Sequence, residues 1–149
     1  MRHTRLTPLL ALALTGCSFL GQDATCTEAD ADSQVATVWR PADFGTRDAA
    51  RIRLCVDGTR EEQTSGSPDD PFATLAIPLP DDIGASTVPL QLTVTSVKNG
   101  DKVVEDSTRA ELAEQRPNGT SCPPTVWTAT FRVHPDKGLT SPKGMKLQD

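Results

Sequence analysis

Val88-Pro89-Leu90-Gln91-Leu92-Thr93-Val94 alternates without a break, with Val88, Leu90, Leu92 and Val94 on one side and Pro89, Gln91 and Thr93 on the other. Successive side chains of a strand point to opposite faces, so the run predicts a strand with one buried face. The same period appears to either side of it. Residues 125–133 place Trp127, Ala129 and Phe131 inward and Thr128, Thr130 and Arg132 outward. Ile52, Leu54 and Val56 form a third apolar face, and Leu75, Ile77 and Leu79 a fourth. Pro78 and Pro80 fall in the fourth run, and proline has no amide hydrogen for a ladder, so this strand is expected at a sheet edge.

Turn chemistry joins the runs. Asn99-Gly100 lies between Ser96-Val97 and Lys102-Val103-Val104, and Asp57-Gly58 lies between the Ile52 run and residues 59–64. Both dipeptides accept the positive φ angles of two-residue hairpin turns, which predicts antiparallel pairing. Residues 108–115 have helix-forming composition, yet Ala110 and Leu112 alternate, and the segment is read as strand. The expected fold is all-β: an antiparallel, immunoglobulin-like or related β-sandwich of about seven to nine strands over residues 34–149. With two Trp, four Phe and no Tyr in the chain, the core should rest on Val, Leu and Ile together with Trp39, Phe44, Phe72, Trp127 and Phe131.

The N-terminus reads as an export signal. Arg2, His3 and Arg5 form a basic start, and residues 6–14 are apolar apart from Thr7 and Pro8. A spanning helix needs about 20 apolar residues, roughly twice this run. The run ends in Leu14-Thr15-Gly16-Cys17, which resembles the lipobox of bacterial lipoproteins. That resemblance implies cleavage after residue 16 and a covalent diacylglycerol on Cys17, with the membrane as a partner through that lipid. It also implies a place at the extracytoplasmic face of the bacterial cell membrane. In organisation the chain resembles small lipoproteins of high-GC Gram-positive bacteria that join a lipobox to a compact β domain; the resemblance brings no activity with it.

The organisation expected is therefore a signal peptide over 1–16, a lipidated flexible tether over 17–33 and a β domain over 34–149. Asp23, Glu28, Asp30 and Asp32 lie in the tether among small polar residues, and the sixteen residues from Ser18 to Ser33 reach at most about 50–58 Å. Removal of 1–16 takes Arg2 and Arg5 with it, leaving 13 basic against 20 acidic residues and a formal charge of −7. Such a balance excludes nucleic acid, whose binding needs basic stripes to neutralise phosphates.

Cysteines and carboxylates are the residues that could carry chemistry. Cys26, Cys55 and Cys122 allow one disulfide in three pairings. Strict alternation puts Cys55 with Arg51 and Arg53, away from the core, so a bond at one end of the sandwich is expected, between Cys122 and either Cys26 or Cys55. No metal and no cofactor is expected. Asp30 and Asp32 fail the calcium-loop test, because Val35 and Pro41 stand where glycine and glutamate are needed. Zinc lacks a Cys-x-x-Cys, and His134 is the sole histidine after residue 16. Glu61-Glu62, Asp69-Asp70 and Asp81-Asp82 read as solvated turn residues. His134, at a strand end, has no nucleophile motif to serve, so no catalytic residue and no enzyme are expected. Asn118-Gly119-Thr120 matches a glycosylation sequon but reads as a turn.

The expected role is a membrane-anchored, non-catalytic binding or structural module of the cell envelope, facing a protein or polymer partner. The alternative is a ligand carrier or accessory subunit for envelope transport. The candidate binding loop is 117–124, with Pro117, Asn118, Gly119, Pro123 and Pro124 stiffening it.

Overall fold

Each period-two run becomes a strand in the computed structural model, which describes residues 26–143 and 145. The signal peptide, Cys17 and the first part of the expected tether lie outside the described residues. Among the described residues nine strands form in the order β1 (Gln34–Trp39), β2 (Ala50–Val56), β3 (Thr59–Thr64), β4 (Ala73–Pro78), β5 (Thr87–Ser96), β6 (Lys102–Glu111), β7 (Ala113–Gln115), β8 (Val126–His134) and β9 (Gly138–Thr140). One sheet runs β4-β1-β8-β7, with β9 also on β8, and the other runs β3-β2-β5-β6. The two pack face to face as a β-sandwich.

Between the sheets, the apolar faces close on one another. Val88, Leu90, Leu92 and Val94 of β5 and Ile52, Leu54 and Val56 of β2 are buried, as are Leu75 and Ile77 of β4 and Val133 of β8. Trp39 is fully buried, and its indole Nε1–H donates to the Ser65 carbonyl at 2.9 Å, so burying it leaves no orphan donor. Phe44, Trp127 and Phe131 pack against this core from partly covered positions. Phe72, expected with them, sits half-buried just before β4 and outside the cluster. β4 is an edge strand, with Pro78 at its last position.

Three expectations need correction. Most pairs are antiparallel, but β1 and β8 run parallel, with Gln34 opposite Thr128 and Val38 opposite Arg132. Alternation fixes which side of a strand is buried and says nothing about its direction, so this pair is invisible to it. Asp57-Gly58 does form a two-residue turn, with φ of 46° and 85°. Asn99-Gly100, in contrast, lies inside a five-residue connection closed by Ser96 N–H to Asp101 O and Gly100 N–H to Ser96 O, both 2.8 Å. Finally, Glu61 and Glu62 belong to β3. Glu62 there faces Arg51 at 3.2 Å and Arg53 at 2.7 Å across the sheet.

Residues 108–115 are extended, as read. They form the end of β6 and all of β7, and Leu112 between them is buried where the chain passes from one sheet to the other. On the same flank Asp106 joins the sheets: its Oδ2 accepts from Leu139 N–H at 2.9 Å. Gly138 beside it has φ of 76°, and a Cβ there would lie 2.7 Å from Asp106 Cβ. Only a residue without a side chain fits both demands.

Candidate functional site

The parallel pair sets two ends to the sandwich. β1 and β8 start side by side, so the chain before Gln34 and the 116–125 connection share one end. At the other end lie the 3-10 turn Pro41–Phe44, the connections 45–49, 65–72 and 97–101, and the turn after His134.

At the first end, Cys26 is bonded to Cys122, with Cα atoms 5.6 Å apart, and Cys55 is a free, half-buried thiol. Of the two end-located pairings expected, this is the one that includes the chain's N-terminal lead. Asn118 adds a clamp beside the bond. Its Oδ1 accepts from Thr27 Oγ1–H at 2.8 Å and Ala29 N–H at 3.1 Å, and its Nδ2 donates to the carbonyls of Ala29 at 3.0 Å and Pro123 at 2.8 Å. An amide offers two donors and two lone pairs, so all four are in use. Ser33, fully buried, accepts from Trp127 N–H at 3.0 Å. Residues 26–33, expected within a flexible tether, are thus fixed to the domain.

The candidate loop residues divide accordingly. Asn118 is a brace within the fold, with no polar atom left for a ligand. Arg116 stiffens the same turn, contacting Glu114 and donating to the Thr120 carbonyl. The Pro123–Pro124 peptide is cis. Pro117 lines an open cleft of about 490 Å³ with Asp30, Asp32, Gln115 and Thr128. Pro123 and Pro124 line a wider one of about 840 Å³ with residues 26–32. Gly119 is exposed with φ of 103°. Both clefts border Asp30 and Asp32, yet among the described residues no group of three His, Cys, Asp or Glu is placed to hold a metal ion. His134 ends β8, where its Nδ1 accepts from Asp136 N–H at 3.1 Å and Lys137 N–H at 3.2 Å in a simple turn.

At the opposite end is a cleft of about 500 Å³ that the period-two reading does not reveal. Phe44, Val97, Val103 and Pro135 supply its apolar wall. Val97 and Val103, 50% and 47% exposed, are the large hydrophobic residues left exposed among the described residues. The loops forming the wall are knitted together: Asp48 Oδ1 accepts from Thr64 Oγ1–H at 2.7 Å and Gly66 N–H at 3.2 Å, and Val97 N–H donates to Ala49 O at 3.0 Å. Asp43, also lining it, faces Arg132 at 3.2 Å. Both carboxylates are therefore engaged within the fold. Arg47 and Lys98 line the same cleft, and neither makes an ion pair among the described residues. One signal for this patch was present in the sequence: Val103-Val104 is an adjacent apolar pair in a strand, and one of the two must face outward.

The chain matches no known family, no curated protein and no solved structure.

Proposed function

We propose that this chain is a lipid-anchored module of the bacterial cell envelope, held by Cys17 at the extracytoplasmic face, that binds a protein or polymer and transforms neither. The observation that carries the reading is the Cys26–Cys122 bond. Disulfides form and persist in oxidising compartments outside the cytoplasm, which agrees with an export signal. Its position also suits an anchor. Eight residues separate Cys17 from Cys26, a span of at most about 30–32 Å. The pole bearing 26–33 and 117–124 then faces the bilayer and the far pole faces outward. A formal charge of −7 after removal of 1–16 keeps the domain from lying flat on anionic lipid.

The carrier alternative calls for an apolar chamber, and the space between the sheets is filled by Trp39, Ile52, Leu54, Ile77, Leu90 and Leu92. Expression of the full chain in a bacterial host tests the anchored reading. The wild type should fractionate with membranes and carry the added mass of a diacylglycerol on the peptide that begins at Cys17, and Cys17→Ala should lose both. Unchanged fractionation and mass in the variant would overturn it.

A further inference from the structure

We infer that the cleft at the pole far from Cys26 is a recognition site for an extended polypeptide segment in which acidic and aliphatic residues alternate. The inference rests on the anchored reading for its orientation, and on the chemistry of the cleft for its ligand. Its wall is apolar, through Phe44, Val97, Val103 and Pro135, and exposed apolar surface of this kind is relieved when an apolar side chain covers it. Its available charge is positive. Arg132 neutralises Asp43, whereas Asp48 keeps its charge and turns Oδ1 to Thr64 and Gly66; Arg47 and Lys98 therefore leave the rim with a single positive charge in excess to meet carboxylates. A polypeptide fits better than a sugar chain because Val103 lies on β6, the last strand of its sheet. Among the described residues no strand pairs with the outer edge of β6, so its backbone groups there are open to an extended partner. The site lies at the pole opposite the tethered end, which is where a partner in the surrounding medium meets an anchored domain.

The test titrates the full-length chain, labelled with nitrogen-15, with three synthetic peptides of equal length: alternating glutamate and valine, alternating lysine and valine, and alternating glutamate and serine. The first should shift the amide signals of Arg47, Val97, Lys98 and Val103 while those of Ala29 and Asn118 stay in place, and the other two should not. Arg47→Ala combined with Lys98→Ala, both at exposed positions, should weaken binding about tenfold, as expected from the loss of two rim charges. Val97→Ser supplies an independent check at the apolar wall and should weaken binding with the charges intact. The inference is overturned if the glutamate–valine peptide leaves the cleft unmoved at millimolar concentration, if the lysine peptide binds equally, or if the shifts fall at the Asn118 pole. It is also overturned if the same amides shift with protein concentration alone, since a second copy then covers the cleft. No lipid enters this titration, so its failure is separable from failure of the Cys17→Ala experiment.

Discussion

Replacing Cys26 and Cys122 together with serine should lower the stability of the domain by about 3–4.7 kcal/mol. The upper figure follows from the separation of 96 residues between the two cysteines, because closing a loop of that length removes about 4.7 kcal/mol of chain entropy from the unfolded state at 25 °C. Asn118 continues to hold Thr27 and Ala29 in the variant, so the folded state loses little enthalpy and the effect lies mainly in the unfolded ensemble. Unfolding entropy is about 2.1 cal/mol/K per residue near the midpoint, or about 0.25 kcal/mol/K for the described domain. The expected fall in Tm is therefore about 12–19 °C. Circular dichroism melts of wild type, double variant and Cys55→Ser, each with and without dithiothreitol, give the measurement. Wild type and Cys55→Ser should fall to the double variant's Tm on reduction, and the double variant should not respond. Urea titration should also show a larger m value once the crosslink is gone, since more surface is exposed on unfolding. A fall of less than about 4 °C, or a reductant response in the double variant, would refute the loop-entropy account.

Asn118→Ala should cost about 1–2 kcal/mol, because four hydrogen bonds at a half-buried position are exchanged for water. Hydrogen exchange should quicken at Ala29 before it does in the core. Gly138→Ala should cost about 2–4 kcal/mol, combining a left-handed φ with a Cβ inside contact distance of Asp106. Urea denaturation of a cycle with Asp106→Gly, which removes the Cβ itself, should recover the part due to the clash and leave the part due to φ. Leu92→Ala, at a fully buried site in the centre of β5, should cost about 2–5 kcal/mol by the same assay.

How far these features could be read from sequence depended on whether one strand or several elements carry them. The buried faces of β2, β4 and β5 follow from alternation, and the edge position of β4 follows from proline's missing amide hydrogen. The turn at Asp57-Gly58 follows from residues that accept positive φ. β3 is legible only through its turn: Thr59-Arg60-Glu61-Glu62-Gln63-Thr64 is polar at every position, so it has no period to read, and Asp57-Gly58 alone points to its pairing with β2. The brace at Asn118 depends on groups 89 and 91 residues away. Nothing local distinguishes that asparagine from any turn residue, and the sequon reading described only its own turn. The far cleft is assembled from several loops and the ends of β2, β5 and β6, and no single segment carries more than a residue or two of its apolar wall.

The parallel union of β1 with β8 governs the order in which the molecule can be completed. The β2–β3 and β5–β6 pairs are each formed by neighbours in sequence, and they can zip as soon as their residues are free to pair. The other sheet has its central strand near the end of the chain. Until residues 126–134 arrive, β1 has a bare edge, and β7 and β9 have no strand to join. A chain made only as far as residue 125 is thus a half-built sandwich held open by its own topology. A chain cut short by some two dozen residues would lose the middle of a sheet and not its margin.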